Sequence, residues 1–447
     1  MRDLSALSDD LLRLAKAAGA DAADALAVDE TSVSIDVLKS DLERAERSEN
    51  LQVGLRVLVG RRQACVSTGD LRDAALRTLA ERAVAMARVA PEDPHAGLAD
   101  PADLAKAWSV ERLDLVDQAD PPSPDRLKEW CLRAEAAALA VDGVTQVGSA
   151  EATYGDRCLH LAATNGFSGG YRRTGTALSC MAISGSGTGM ERDYYVDSRV
   201  HSADLDDPET VGRIAGERTA ARAGARKPPT GAFPVIYDER VAGTVIGHLL
   251  QALNGASVAR GASFLREAMG TNVLPDDISL REDPTLPRIP GSKPFDAEGL
   301  PVAARDLIHD GVLEGWVLDL STGRKLNMAS TGNATRGVKA PPSPRSGNVI
   351  LTQGQQSRAD LIGEMGTGLL ITSMIGSSVN QTTGDYSRGA SGFWVENGAI
   401  AYPVNECTVA GNLRDMLRNL RPANDARTHV GRQVPSLLIE GLTVAGG

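Results

Sequence analysis

The chain has 447 residues, a net charge of −11 and 42% hydrophobic residues, which predicts a water-soluble protein of two or three domains. The acidic balance argues against a nucleic-acid surface, because phosphate binding needs basic patches. Five scattered cysteines without a CxxC pair favour a reducing cytoplasm over a disulfide framework. A cytoplasmic protein without a membrane span is also predicted by the lack of a signal-peptide pattern and of any window of 18 apolar residues.

The first half of the chain mixes helical and strand patterns. Helical spacing predicts helices over residues 4–18, 70–90, 124–141 and 208–223. Asp70 is the expected N-cap of the second helix. Alternation of apolar and polar residues predicts strands near residues 31–41, 145–153, 158–164 and 170–187, and a hairpin over residues 51–68 that turns near Gly60.

The second half has a different character. A basic segment with Gly and Pro at residues 221–235 predicts a linker. Beyond it lie short strand patterns with predicted hairpin turns at Asp310-Gly311 and at Asn397-Gly398. An Asn-Gly dipeptide between strand patterns is the strongest short hairpin signal. We therefore predict an α+β protein of two domains, an α/β domain over residues 1–225 and a β-rich domain of packed antiparallel sheets over residues 226–447.

A predicted helix over residues 239–253 carries a polar stripe at helical spacing. The stripe consists of Thr244, Gly247, His248 and Gln251. A metal-binding helix would need a second imidazole or a carboxylate there, and a neutral glutamine is a poor zinc ligand. His248 is therefore interpreted first as a hydrogen-bonded or surface histidine and only second as a metal ligand.

Other candidates for chemistry are isolated. The segment "PFDAEGLP" places Asp296 and Glu298 near a glycine, either as an acid pair or, as we favour, as caps of turns. No GxSxG elbow is present, and Cys407 is interpreted as a small buried hydrophobe. His429 lies in a predicted loop near the C-terminus, where it could approach His248 in space.

The segment over residues 377–391 is rich in hydroxyls, amides and glycine, but it lacks a nucleophile and base pair. Glycine permits close backbone approach, and uncharged polar groups can bond an extended peptide. The candidate peptide contacts are Asn380, Thr382, Thr383, Asp385, Ser387 and Ser391. The alternative is a solvated loop between two strands.

Three segments carry a resemblance to a known family. "TGNATRG", "FDAEGLPV…IHDGVLEGWVLD" and "GEMGTGLLITSMIGSSVNQTTGDYSRGASGFWVENGAIAYPVNECTVAGNL" resemble the TldD/PmbA family, and within it the PmbA (TldE) branch. The resemblance implies one half of a cytoplasmic TldD–TldE heterodimer whose zinc is held by an HExxxH helix of the TldD-like partner. Such complexes take unfolded peptides as an added strand. They are linked to processing of microcin-type precursors and to antitoxin turnover.

This sequence departs from the metal-bearing pattern. An ungapped count places Ile246 at the first histidine of HExxxH, Gly247 at the glutamate and Gln251 at the second histidine, while a small gap brings in His248. The resemblance also implies a further cysteine ligand near the C-terminus of the metal-bearing branch, and His429 falls loosely in that region. Without two histidines and the glutamate, neither a zinc shell nor its general base forms. We therefore expect no metal and no catalytic residue in this chain.

Three functions follow as hypotheses. The first is the non-metal subunit that shapes the peptide cavity beside a TldD-like partner, with a homodimer through the same surface left open for the lone chain. The second is a self-sufficient hydrolase that uses His248 or His429. The third is a non-enzymatic regulator that binds gyrase, which matches the family's older description as a modulator of DNA gyrase, or an antitoxin.

Overall fold

A computed structural model describes residues 3–446, apart from the side chain of Ser377. The helices of the first half are α1 (Leu4–Ala17), α2 (Asp73–Val89), α3 (Pro124–Leu139) and α4 (Pro208–Ala220). Short 3-10 helices lie at Glu111–Leu113, Gly187–Gly189 and Ser202–Asp204. The strands are β1 (Ala22–Leu38), β2 (Asp41–Val59), β3 (Arg62–Thr68), β4 (Val144–Ala163), β5 (Ser168–Ser184) and β6 (Glu191–Arg199).

Within the described residues these strands form one antiparallel sheet of six, in the order β3-β2-β1-β4-β5-β6. Its helical layer covers the face that carries the odd-numbered residues of β1. Ala23 and Ala25 pack with α1 and α2, whereas Val33 and Ile35 pack with α3 and α4. Because strand side chains alternate between faces, the even-numbered residues of β1 point to the opposite side.

That opposite face is where the two halves of the chain meet. Leu26 and Val28 of β1 share an apolar cluster with Phe295 from the second half. Asp24, on the same face, forms a buried ion pair with Arg336. Around the first half of β1 the sheet is thus covered on both faces, by its own helices on one side and by loops of the second half on the other, whereas residues 41–50 of β2 are exposed.

The second half contains short helices and many strands. The helices are α5 (Glu239–Ala252), α6 (Gly255–Ala259), α7 (Leu320–Lys325), α8 (Arg358–Met365) and α9 (Leu413–Arg418). The strands are β7 (Gly231–Tyr237), β8 (Leu280–Glu282), β9 (Arg305–His309), β10 (Val312–Leu313), β11 (Ala334–Thr335), β12 (Ser343–Pro344), β13 (Val349–Leu351), β14 (Gly368–Val379), β15 (Asp385–Glu396), β16 (Ala399–Asn412), β17 (Leu420–Pro422), β18 (Arg432–Gln433) and β19 (Leu437–Ala445).

The main sheet of this half closes into a barrel. Its order is β16-β15-β14-β7-β19-β17, and β16 also pairs with β19, where Val409 faces Val444. A second sheet has the order β10-β9-β8-β13-β18, and β11 pairs with β12. The apolar face of α5 shares one large core cluster with the barrel strands, so the helix is held firmly against β14 and β15.

The predicted α+β class with a β-rich second half is confirmed. Two pairs, β14 with β7 and β13 with β18, are parallel within otherwise antiparallel sheets. The predicted turns at Asp310-Gly311 and Asn397-Gly398 are confirmed, and all four residues have positive φ angles. The domain boundary between residues 225 and 226 stays a prediction. Within residues 3–446 no helix combines the length and apolar character needed to cross a bilayer.

Two local predictions were wrong. Asp70 does not cap the second helix, because its carboxylate binds the Arg72 guanidinium and the helix begins only at Asp73, after Arg72. The strands predicted at residues 145–153 and 158–164 are one strand, β4. Gly155 continues the ladder because it pairs with Ser32 of β1 on one side and Gly175 of β5 on the other, so pairing on both edges overrides the local break.

Candidate functional site

Helix α5 follows directly from barrel strand β7. The Asp238 side chain caps it by accepting a hydrogen bond from the Arg240 amide at 3.1 Å. The buried residues of α5 are Val241, Ala242, Val245, Ile246, Leu249, Leu250 and Ala252. The predicted polar stripe is therefore confirmed as the face of α5 that lies outside this core.

The stripe packs against the hairpin formed by β14 and β15. The hydroxyl of Thr244 lies 3.8 Å from the sulfur of Met374. The ring of His248 meets that of Tyr386 edge to face, with centroids 6.0 Å apart. Nε2 of Gln381, in the turn of the hairpin, donates to Oε1 of Gln251 at 2.9 Å. The structure thus joins two features that lie 130 positions apart in sequence.

His248 sits in an environment that disfavours its charged form. Its Nε2 is buried and has no hydrogen-bond partner among residues 3–446. Burial lowers the pKa of His248, and the nearby positive charges of Arg388 and Arg432 lower it further. A neutral imidazole is therefore expected at pH 7.

The other positions aligned with HExxxH do not supply zinc donors. Ile246 is fully buried in the core, and Gln251 offers only a neutral amide that already accepts from Gln381. Gly247 has no side chain, and a Cβ there would lie 2.9 Å from Nη1 of Arg432. Arg432 lies across this part of α5, where its Nη1 donates weakly to the Gly243 carbonyl at 3.4 Å. Among the described residues no group of three His, Cys, Asp or Glu side chains is arranged to hold a metal.

The proposed peptide contacts divide into two groups. In the turn between β14 and β15, Oδ1 of Asn380 accepts from the amides of Thr382 and Thr383 at 3.0 and 3.3 Å. The hydroxyl of Thr383 donates to Asp385 at 2.6 Å. These side chains stabilise the turn itself, while the exposed hydroxyl of Thr382 has no hydrogen-bond partner in the described part of the chain.

The remaining two candidates lie along β15. Ser387 alternates with Tyr386, which is buried in the barrel core, so Ser387 faces away from that core. Ser391 accepts a hydrogen bond from Arg222 at 2.8 Å, and Arg222 is also paired with Glu191 of the first half. Ser391 therefore lies at the junction of the halves, apart from the turn that holds Thr382. A peptide role for these six residues stays a prediction.

The alternative catalytic pairs are not assembled by the contacts of the described residues. Nε2 of His429 lies 3.5 Å from Oδ1 of Asp197, on the first half. Burial and then Arg199 lower the pKa of His429. The surroundings of His429 therefore differ from those of His248, which lies beside Tyr386.

Asp296 and Glu298 are caps, as the sequence favoured. Oδ1 of Asp296 accepts from the amides of Glu298 and Leu300, and its Oδ2 accepts from that of Ala334. Glu298 accepts from the Leu320 amide at 2.9 Å. Burial, and then the charge of Asp296, raises the pKa of Glu298 to about 8.

Sequence reasoning missed a cavity of about 590 Å³ between the first sheet and the loops of the second half. Of its lining residues within the described chain, six are basic and one, Asp296, is acidic. We call it the basic cavity; its basic residues are Arg157, Arg173, Lys293, Arg336, Arg345 and Arg432. The six basic residues come from segments that are distant in the sequence, so no local pattern joins them. The alternation within β4 and β5 was the only sequence signal for this cavity.

Three family models match the chain. The model of PmbA/TldA metallopeptidase domain 1 matches residues 23–87, that of the central domain matches residues 117–223, and that of the C-terminal domain matches residues 230–446. Together these matches cover well over half of the sequence.

The chain belongs to the PmbA/TldD metallopeptidase family.

Individual relatives agree with this family. The chain is 38% identical to the metalloprotease PmbA of Escherichia coli O157:H7 over 421 residues, which cover 93% of this chain and 90% of the relative. It is 36% identical to the PmbA homolog of Haemophilus influenzae over 439 residues, or 97% and 94% of the two chains. The predicted resemblance to the PmbA branch of the PmbA/TldD family is thus confirmed.

Solved structures of similar proteins share the fold. A Bacteroides thetaiotaomicron protein described as a proposed modulator of DNA gyrase matches with a TM-score of 0.91 at 25% identity, over 99% of this chain and 98% of that one. TldE from Thermococcus kodakarensis matches with a TM-score of 0.84 at 19% identity, over 98% and 99%. The second likeness supports the PmbA/TldD fold alone.

Proposed function

We propose that this chain is the non-metal subunit of a heterodimeric TldD–TldE-type metalloprotease that processes unfolded peptides in the cytoplasm. One observation carries the proposal. The helix that aligns with HExxxH has a glycine under Arg432, a buried isoleucine and a glutamine bonded to the β14–β15 turn. A zinc ion with its general base belongs, in this proposal, to the TldD-like partner.

The role left to this chain is to hold substrate. The β14–β15 turn presents the free hydroxyl of Thr382 beside the polar stripe of α5. Uncharged donors and acceptors at this place suit the main chain of an extended peptide, which binds by backbone hydrogen bonds. Precursors of the microcin type and antitoxins are the substrate classes that the family resemblance suggests.

The test uses the purified chain alone and then mixed with a TldD-like partner, with zinc content and cleavage of an unfolded peptide measured in each sample. The expected result is zinc and cleavage only in samples that contain the partner, with a mixed complex in size-exclusion chromatography. Cleavage by the lone chain that is lost in a His248→Ala or His429→Ala variant would favour the self-sufficient hydrolase. A homodimer of the lone chain that gives way to the mixed complex agrees with a shared surface.

A further inference from the structure

The basic cavity contrasts with the charge of the whole molecule. The chain carries 58 acidic and 47 basic residues outside histidine, yet six basic residues and one acidic residue line this cavity within the described chain. The acidic one, Asp296, is already engaged by three main-chain amides. Among the basic lining residues its carboxylate interacts with Lys293, and one carboxylate cannot balance six basic groups.

Two arginines face each other on the wall formed by the first sheet. Arg157 of β4 lies directly opposite Arg173 of β5, a like-charge pairing that destabilises a sheet. Arg173 donates to the carbonyls of Pro290 and Ser292 at 2.7 and 2.8 Å, and both are neutral groups. Glu30 lies opposite Arg157 on β1, but no ion pair joins them in the described residues. The Nε of Arg157 is buried and has no partner there.

A third arginine is almost completely enclosed. The side chain of Arg336 is 1% exposed, and it shares the carboxylate of Asp24 with Arg56. One carboxylate between two guanidinium groups leaves a net positive charge in a buried place, which is costly without a further anion. Nε and Nη2 of Arg336 have no hydrogen-bond partner among residues 3–446. The cavity thus contains buried donors that no protein acceptor satisfies.

The rim of the basic cavity carries two further arginines. Arg345 and Arg432 line the mouth as exposed residues. Partial desolvation lowers the pKa of the Arg432 guanidinium, and the charge of Arg345 lowers it further. Arg432 is also the residue that lies over Gly247 of α5, so the mouth of the basic cavity adjoins the proposed peptide site.

The rest of the lining distinguishes a peptide from an inorganic anion. Leu26, Leu159 and Phe295 give the cavity an apolar wall, and a phosphate ion would gain nothing from it. The Oδ1 of Asn348, also in the lining, is a buried acceptor without a partner among the described residues. A peptide can donate a main-chain N–H to that acceptor and also place an apolar side chain against the wall, whereas a phosphate dianion has one O–H donor and no apolar part.

We propose that the basic cavity binds the free C-terminal carboxylate of a peptide, with Arg157 and Arg336 at the carboxylate and the apolar wall against the last side chain. Guanidinium groups match carboxylates in a two-pronged geometry. The choice of a peptide rests on the proposed function, whereas the anion site does not. The site needs neither zinc nor the partner subunit, so it can be tested on this chain alone.

The experiment is calorimetric titration of the full-length chain with three probes: acetyl-Ala-Ala-Leu as the free acid, the same peptide as its C-terminal amide, and inorganic phosphate. We expect the acid to bind at least about tenfold more tightly than the amide, because the neutral amide cannot form the charge-assisted hydrogen bond that the carboxylate forms. Binding of the acid should weaken as salt is raised. Phosphate should bind more weakly than the peptide acid.

Matched variants locate the binding. Arg157→Gln and the exposed Arg345→Gln should each weaken binding of the acid several-fold. Arg172→Gln is the control, because Arg172 neighbours Arg173 on β5 but pairs with Asp156 at 2.8 Å outside the cavity lining. Thermal unfolding of each variant verifies folding, and Arg345→Gln keeps the test decisive should Arg157→Gln fold poorly.

Equal affinity for acid and amide, or no binding by either, would overturn the proposal. Phosphate that binds as tightly as the peptide acid would replace the peptide assignment with a site for small anions. Loss of binding in Arg172→Gln as large as that in Arg157→Gln would place the site elsewhere. These titrations measure binding and not cleavage. Their result can therefore be interpreted even if the mixed complex fails to cleave peptide.

Discussion

Gln381 donates a hydrogen bond from its Nε2 to Oε1 of Gln251 at 2.9 Å, across the interface between the β14–β15 turn and helix α5. The bond ties a residue of the polar turn to the position that aligns with the second histidine of HExxxH. The remaining oxygen of Gln381 is buried and has no partner among the described residues. The contact therefore fixes the turn beside the helix and leaves one buried acceptor without a partner among the described residues.

Thr382→Ala should lower kcat/KM for peptide cleavage by the mixed complex by about twofold to tenfold, the effect of one lost hydrogen bond. Its hydroxyl has no partner in the described residues, so the stability of this chain should not change. Glu396→Ala, at the opposite end of β15, is the control and should leave kcat/KM unchanged. Wild-type cleavage by Thr382→Ala would remove this residue from the peptide site.

Gly243→Ala and Gly247→Ala should differ although both lie within α5. Alanine stabilises a helix by about 1 kcal/mol relative to glycine, and a Cβ at Gly243 would meet Arg432 only at an ordinary 4.0 Å. A Cβ at Gly247 would lie 2.9 Å from the Arg432 guanidinium and must displace it. Urea unfolding should therefore show the smaller gain for Gly247→Ala.

Repeating this comparison in an Arg432→Ala background supplies the check on the cause. With the guanidinium removed, both glycine replacements should give similar gains in the free energy of unfolding. Equal gains in the wild-type background would show that Arg432 does not restrict position 247.

Asp24→Asn should reduce the free energy of unfolding at pH 7 by about 3–5 kcal/mol, because two buried guanidinium groups lose their shared anion. Burial opposes ionisation of Asp24, but Arg336 and Arg56 outweigh it and lower the pKa of this carboxyl. A carboxyl whose pKa is lowered in the folded state contributes stability above its unfolded pKa of about 3.9. That contribution is lost as the pH falls through the folded pKa.

The difference between wild type and Asp24→Asn should consequently shrink as the pH falls below about 4, the range of the unfolded carboxyl. Asp29→Asn, on the same strand and without an ion pair in the described residues, is the control. Unfolding by urea at several pH values measures both. If Asp24→Asn lowers the free energy of unfolding no more than Asp29→Asn does, the buried ion pairs of Asp24 with Arg56 and Arg336 do not stabilise the fold as expected.

Glu298→Gln should change how stability depends on pH. The pKa of Glu298 is raised to about 8, first by burial and then by Asp296, so the folded state binds a proton that the unfolded state releases near pH 4.3. Between about pH 4.5 and 8 this group makes wild-type stability fall with rising pH, by up to about 1.4 kcal/mol per pH unit.

The glutamine variant keeps the acceptor for the Leu320 amide and lacks the titrating proton. The free energy of unfolding of Glu298→Gln, relative to that of wild type, should therefore rise from pH 5 to pH 8 when both are measured by denaturant unfolding. A constant difference across this range would mean that Glu298 titrates near its ordinary pKa.

The sequence by itself determined the local elements and the family. The apolar spacing of α5 fixed which of its faces enters the core, and Asn397-Gly398 specified its turn, because helical periodicity and positive φ angles are properties of neighbouring residues. The motifs over residues 363–413 were specific enough to indicate the PmbA branch, and the substitutions at Gly247 and Gln251 could be located from the sequence.

Only the tertiary structure decided which distant side chains meet. The ion pair of Asp24 with Arg336 joins residues 312 positions apart, and the basic cavity combines a sheet of the first half with loops of the second. The docking of the 380–384 turn on α5 likewise depends on how β14 and β15 lie in the barrel. Local pattern carries no information about such contacts, because they follow from the packing of whole sheets against each other.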